Sequence, residues 1–312
     1  MISSRKIAII GVGYVGASIA YSLIIKGLAH EIVLIDSDKL KCVAESNDIR
    51  HGIPYMGSSN IYAGEYSDIK DCDMIIITAG RNRRANENRL DMAVDNVKTS
   101  QEIANEMVKY YNQGVVLVVT NPVDIITHKL TMWLNLPRGT VFGTGCLLDS
   151  SRFVNTLSDY VKLRSEIISA TVIGEHGDRQ VALWSKVQIA GTAIDEYCKI
   201  INLEFNADTR KSIESKVIRM GTEIIKGKNR THYGIATCVC YIADAIINRR
   251  DTIVSVTSTL HGEYGINNVA LSLPCIIGSH GIKRVLTDTL GNSEFDKLKE
   301  TEIFLKECLY QV

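Results

Sequence analysis

Gly11-Val12-Gly13-Tyr14-Val15-Gly16 directly follows the apolar run Ile7-Ala8-Ile9-Ile10 and opens a segment with helical apolar spacing. A GxGxxG stretch alone can serve any tight turn. Here a strand-like run precedes it, a helical segment follows, and Asp36 closes the next strand-like run 20 residues beyond Gly16. That combination is the pattern of a dinucleotide-binding βαβ unit. Gly11 is expected to make the tight turn and Gly13 to let the backbone approach a pyrophosphate. Gly16 would let helix and strand pack closely, with the helix N-terminus toward the phosphates. A carboxylate at Asp36 accepts hydrogen bonds from ribose hydroxyls and repels a 2′-phosphate, which favours NAD over NADP.

The rest of the first half supports this reading. Apolar, β-branched runs at 6–10, 31–35, 60–63, 74–78, 115–120 and 141–143 alternate with helical periodicity at 92–111 and 123–134. Parallel neighbours need such crossovers, and near-continuous apolar strands suit a sheet covered on both faces. Thr78-Ala79-Gly80 ends the fourth run, where the carboxyl edge of the sheet should meet the cofactor. After about residue 145 the character changes. Helices are expected at 149–163, 208–226 and 234–248, a strand at 167–173, strands at 252–260, 269–277 and 282–286, and a last helix from Ser293. Short turns between the late strands point to antiparallel pairing. The fold class expected is α/β: a Rossmann-type doubly wound parallel sheet over 1–143, then a mixed α+β substrate domain over 144–312.

Composition narrows the function. With 35 Lys plus Arg against 35 Asp plus Glu, there is no global pull toward nucleic acid or anionic membrane. No apolar run reaches the length needed to span a bilayer. The first residues carry no signal-peptide h-region, so a cytoplasmic protein is expected. The eight cysteines are scattered without a CxxC pair, and the histidines show no ligand spacing, so neither a disulfide framework nor a metal site is expected.

Gly174-Glu175-His176-Gly177-Asp178 places an exposed imidazole in a glycine-flanked turn just past a β-run. Other suitable groups stand at loop or helix-start positions: Arg89, Asn121 before Pro122, and Leu148-Asp149-Ser150-Ser151-Arg152, where Asp149 and Arg152 share a helix face. A Ser150/His176/Asp149 hydrolase trio lacks the G-x-S-x-G elbow. With these segments in order, the chain resembles the L-lactate/malate dehydrogenase family, and more closely its bacterial lactate dehydrogenase branch. GVGYVG, Asp36, TAG at 78–80, RLDM at 89–92, TNPVD at 120–124, LDSSRF at 148–153 and GEHGD at 174–178 carry the resemblance over essentially the whole chain.

The resemblance implies a catalytic set of His176, Asp149 and Arg89. His176 would exchange the hydroxyl proton of a 2-hydroxy acid, and Asp149 would hold its other ring nitrogen. Arg152 would grip the substrate carboxylate, Arg89 would polarise the C2 carbonyl from a closing loop, and Asn121 and Thr231 would line the substrate. The implied NAD set comprises Gly11, Gly13, Val15, Gly16, Asp36, Lys41, Tyr66, Thr78, Ala79, Gly80, Val119 and Asn121. The implied activity is reversible conversion of L-lactate and pyruvate in glycolytic fermentation, by a homotetramer or, alternatively, a dimer.

Two departures from the family pattern bear on substrate and regulation. The loop Arg81-Asn82-Arg83-Arg84-Ala85-Asn86-Glu87-Asn88-Arg89 puts Arg83 at the family's selectivity position, where Arg suits oxaloacetate and Gln suits pyruvate. A malate dehydrogenase or a broader L-2-hydroxyacid dehydrogenase is therefore the alternative, against which Thr231 argues. Val154 and Ser169 stand where an activator-binding Arg and His occur in many bacterial relatives, so no fructose 1,6-bisphosphate activation is expected. A non-enzymatic NAD-binding protein would need the glycines and Asp36 but not His176, Asp149, Arg89 and Arg152 together.

Overall fold

A computed structural model of the chain describes residues 5–81 and 89–312. The first half runs β1 (Lys6–Ile10), α1 (Tyr14–Ile25), β2 (Glu31–Ile35), α2 (Lys39–Gly52), β3 (Asn60–Ala63), β4 (Met74–Ile77), α3 (Arg89–Tyr110), β5 (Val115–Val118), α4 (Val123–Leu134) and β6 (Val141–Gly143). These six strands are parallel, in the order β3-β2-β1-β4-β5-β6. The chain leaves β1 toward β2 and β3, then returns to β4 on the other side. The loops after β1 and β4 therefore diverge around a crevice at the carboxyl edge, where sheets of this order bind ligands.

Alternate side chains of each strand feed opposite helix layers. Ile7 and Ile9 pack with Ile19 and Leu23 of α1, and Ala8 and Ile10 with Met107 of α3 and Ile126 and Leu130 of α4. Every one of these residues is at most 2% exposed, which explains why the strands read as unbroken apolar runs.

The second half begins with α5 (Leu147–Val161) and the short strands β7 (Ile168–Ser169), β8 (Val172–Gly174), β9 (Gln180–Ala182), β10 (Gln188–Ile189) and β11 (Thr192–Ala193). Three helices follow, α6 (Ile194–Ile200), α7 (Ala207–Lys228) and α8 (Tyr233–Ile247). The chain closes with β12 (Thr252–His261), β13 (Asn267–Gly278), β14 (Gly281–Val285) and α9 (Asn292–Gln311). β12 pairs antiparallel with β6 at Thr257↔Gly143, and β13, β8 and β9 continue outward, with β14 on β13. One sheet of 11 strands thus passes from the first half into the second. α8 returns to the first half and packs with α1 in the same core as β1.

The expected strand at 167–173 is in fact two. β7 joins β10 and β11 in a separate three-stranded sheet, while β8 pairs with β13 and β9 in the large one. The segment 180–200, for which no elements were expected, holds β9, β10, β11 and α6. Strands this short lack a readable period, because their partners lie far away in sequence. All eight cysteines are free thiols, seven of them buried. Among the described residues no helix is long and apolar enough to cross a membrane, and no cluster of candidate metal ligands occurs.

Phe142 is fully buried in β6, the strand shared by the parallel and antiparallel parts. Phe142→Ala should destabilise the protein by about 3–5 kcal/mol, read as a lowered denaturant midpoint. An unchanged midpoint would contradict the place given to this side chain in the core.

Candidate active site

The crevice is built from glycine contacts. At Gly11, whose φ is +98°, an added Cβ would lie 2.3 Å from the amide nitrogen of Ala79. At Gly16 it would lie 2.1 Å from the carbonyl of Gly11. Thr78 Oγ1 donates to that same carbonyl at 2.5 Å, and Thr120 Oγ1 donates to the Ala79 carbonyl at 2.8 Å. The turns after β1, β4 and β5 are therefore locked together. Gly13 differs: nothing lies within 4 Å of a Cβ built there. Space stands open over the first turn of α1, which is what a pyrophosphate requires of that glycine.

Asp36 caps the other side of the turn. Its Oδ2 accepts from Val12 N–H at 2.6 Å and its Oδ1 from Asp38 N–H at 3.0 Å. The Ser37 hydroxyl also donates to Oδ1 at 3.4 Å, so Oδ2 is the oxygen with a lone pair left for a ribose hydroxyl. Val15 is half-buried on α1 and Val119 is nearly buried beyond β5. Lys41 is exposed in the first turn of α2. Tyr66 packs partly against the second core, and burial, with Glu106 and Asp36 nearby, pushes its phenol up to about 12. The open cradle at Gly13 and the acceptor at Asp36 fit NAD.

A second constellation lies beside it. His176, in the turn after β8, has its Nδ1 2.6 Å from Asp149 Oδ2, and Arg152 Nη1 donates to Asp149 Oδ1 at 2.8 Å. Asp149 and Arg152 share one turn of α5, and their side chains are 5% and 14% exposed, against 23% for His176. Burial opposes a charged imidazole, yet the Asp149 carboxylate and its hydrogen bond outweigh it and hold His176 above its usual range. Burial would likewise raise Asp149, but His176 and Arg152 outweigh it and keep its carboxyl below the ordinary value. Because an ionised carboxylate only accepts, Nδ1 carries a proton and Nε2 is the nitrogen left for exchange. The Arg152 guanidinium is backed by Gly221 of α7, where a Cβ would come within 3.3 Å of Nη2.

Backbone contacts join the two parts. The Asn121–Pro122 peptide is cis, and Asn121 stands exposed just before α4. The first turn of α4 holds Asp124, whose Oδ2 accepts from the main-chain N–H of His176 at 2.8 Å. Asn96, buried in α3, donates to the carbonyls of Asn121 and Arg81 and accepts from Arg81 N–H. Thr231 is half-buried before α8, next to His232. Lys228 can only donate to His232 Nε2 (3.2 Å), so Nδ1–H is left to donate to Ser18 Oγ on α1 at 2.9 Å. Arg83 and the side chain of Arg89 lie outside the described residues. Asp124, Asn96 and Ser18 were not singled out from sequence. The signal for Asn96 was a polar residue on the apolar stripe of a helix that otherwise faces the core, whereas Asp124 reads as an ordinary first-turn acid.

The open space at Gly13 and the crowding at Gly16 separate binding from folding. Gly13→Ala should change stability by under about 0.5 kcal/mol while weakening NADH binding roughly tenfold or more, about 1.4 kcal/mol, by fluorescence titration. Gly16→Ala should instead lower the melting temperature. Loss of stability in Gly13→Ala with intact NADH binding would contradict the cradle.

Comparison with known proteins agrees with this geometry. Residues 5–143 match the model of the lactate/malate dehydrogenase NAD-binding domain, and residues 146–312 match that of the family's α/β C-terminal domain. The chain is 38% identical over 307 residues to an L-lactate dehydrogenase of Thermoanaerobacterium saccharolyticum, covering 98% of this chain and 99% of the relative. It is 39% identical over 305 residues to an L-lactate dehydrogenase of Acetivibrio thermocellus, covering 98% and 96%. Among solved structures, the ligand-bound minor L-lactate dehydrogenase of Enterococcus mundtii superposes with a TM-score of 0.95 at 31% identity. The L-lactate dehydrogenase of Clostridium thermocellum gives 0.87 at 42% identity, and each alignment covers 99% of both chains. Nucleotide cradle, imidazole–carboxylate pair and sequence relationship agree: the chain belongs to the lactate/malate dehydrogenase family.

Proposed function

We propose that this protein interconverts L-lactate and pyruvate, with NAD as its redox partner. The carrying observation is the Asp149 carboxylate bridging the imidazole of His176 and the guanidinium of Arg152. The named relatives favour lactate over malate. Gly11, Gly13, Gly16, Asp36 and the 78–80 turn would hold NAD, which would supply the hydride chemistry at C2 of the substrate.

The chain's own residues manage the proton and the charge. His176 takes the hydroxyl proton at Nε2 during oxidation and gives it back during reduction. Asp149 keeps that imidazole in one tautomer and favours its protonated form. Arg152 binds the substrate carboxylate as a planar fork, a geometry Lys cannot supply. Arg89, at the start of α3, polarises the C2 oxygen, while Asn121 and Thr231 line the substrate. Residues 1–143 form the nucleotide domain and 144–312 the substrate domain. The enzyme works in the cytoplasm on glycolytic pyruvate as a homotetramer, with a dimer as the alternative. Tyr14, Tyr21 and Ile25 form an exposed apolar face on α1 that suits a subunit contact. Val154 and Ser169 supply no cation for a bisphosphate activator.

A kinetic panel at fixed NADH, with pyruvate, oxaloacetate and branched 2-oxo acids, tests the substrate. Pyruvate should give the highest kcat/KM, unchanged by fructose 1,6-bisphosphate. A tenfold preference for oxaloacetate would overturn the choice and give Arg83 the deciding role. His176→Asn should keep NADH binding while lowering kcat by roughly two to four orders of magnitude.

Because pyruvate reduction needs protonated His176, its rate should fall as pH rises through the raised imidazole pKa. Asp149→Asn removes the carboxylate that raises it, so that alkaline limb should move to lower pH. A limb that stays put would contradict the coupling.

A further inference from the structure

Asp124, in the first turn of α4, is a buried carboxylate that no step above uses. It is 3% exposed, and both its oxygens receive donors. Oδ2 accepts the main-chain N–H of His176 at 2.8 Å, and Oδ1 accepts from Thr257 Oγ1 at 2.5 Å. Thr257 Oγ1 lies 3.0 Å from Ser272 Oγ, which accepts from the N–H of Cys146 at 3.0 Å. A main-chain amide only donates. A carboxylate only accepts, so Thr257 donates its one hydroxyl hydrogen to Asp124 and accepts in turn from Ser272. The donor chain runs from the head of α5 through β13 and β12 and ends on this carboxylate. Thr257 and Ser272 are fully buried, so no water competes for these bonds.

We propose that Asp124 is a positioning residue for the reaction: it ties the main chain of the His176 turn to the head of α4, next to Asn121. The proposal rests on reading His176 as the group that exchanges the substrate proton. Asp149 holds the imidazole ring from one side, but a ring is fixed only when its main chain is fixed too. Asp124 supplies that second anchor, and it comes from the nucleotide-binding half of the chain. The imidazole is thus referenced to the same helix start that presents Asn121.

The carboxylate also contributes charge. His176 faces Asp149 and Arg152 from α5 and Asp124 from α4, with Glu175 beside it in the turn. Burial disfavours the imidazolium, Asp149 favours it most, and Asp124 adds in the same direction. Burial also pushes the Asp124 carboxyl up to about 7, opposed by Thr257 and His176, while Glu175 acts with burial. The neighbouring Cys146 thiol is raised well above its usual value by burial and stays neutral.

Three variants separate position from charge. In Asp124→Asn the amide oxygen can still accept from His176 N–H and the amide nitrogen can donate to Thr257, so position is kept and charge is lost. Asp124→Ala loses both. Thr257→Val keeps the volume and removes one donor. Asp124→Ala should lower kcat for pyruvate about a hundredfold with NADH affinity retained, and Asp124→Asn should recover most of that loss. In Asp124→Asn the His176 pKa, followed by NMR of the imidazole carbons without nucleotide, should fall by about one pH unit. Thr257→Val should give a smaller kcat loss of the same sign.

Wild-type kcat and an unchanged His176 titration in both Asp124 variants would overturn the proposal. So would equal losses of kcat and NADH affinity in Asn and Ala with no change in that titration, the mark of a merely structural role. Should Asp124→Ala not fold, the other two variants still decide through the titration. A wild-type protein inactive on every 2-oxo acid would count against the enzymatic reading alone, because the titration reads the Asp124 contact without substrate.

Discussion

Asp149 sits where a carboxylate is costly, at the buried foot of α5, and is kept ionised by the His176 ring and the Arg152 guanidinium. An isolated charge at this depth would neutralise or unfold its surroundings. Shared between the His176 ring and the Arg152 fork, it is stable, and it constrains both. Removing one partner of such a buried pair costs about 3–5 kcal/mol, so these side chains are coupled to the fold. The spacing of three residues on one helix turn delivers Asp149 and Arg152 together, and Gly221 leaves room for the guanidinium against α7. In the proposed reaction, proton exchange and carboxylate recognition share one electrostatic centre.

The sheet places that centre next to the nucleotide. β6 is parallel to β5 on one edge and antiparallel to β12 on the other, so the crevice of the parallel strands opens directly toward the late strands. The starts of α4 and α5 follow β5 and β6, and both contribute a buried acid to the His176 turn. Asn96 stitches Arg81 to Asn121 from the α3 side. His232 ties the start of α8 to α1, which keeps the Thr231 segment against the nucleotide half. Hydrogen bonds from buried polar side chains link the pieces of the site.

Much of this was legible before any coordinates. Five of the six parallel strands appear in sequence as apolar runs because both of their faces are buried, the edge strand β3 being the exception, and 123–134 and 141–143 match the observed bounds of α4 and β6. His176, Asp149 and Arg152 stand out as polar groups in glycine-flanked or helix-start positions, and they do meet. What was hidden depends on contacts distant in sequence. The run 167–173 looks like one strand, and only its different partners, β10 and β13, divide it. Asp124 resembles an ordinary acid in a helix first turn until Thr257, 133 residues later, is seen to donate to it. Asn96 reads as a flaw in an apolar stripe, since its partners are main-chain carbonyls that any residue could supply.

The central claim is convergence: one imidazole and one guanidinium, joined by Asp149, meet a 2-oxo acid beside the nucleotide. A crystal structure of the protein with NADH and oxamate, a non-reacting analogue of pyruvate, tests it most directly. The account predicts the oxamate carboxylate on Arg152 and its C2 oxygen hydrogen-bonded to His176 Nε2, with Nδ1 still on Asp149. Oxamate bound away from Arg152, or a His176 ring turned off Asp149, would contradict it.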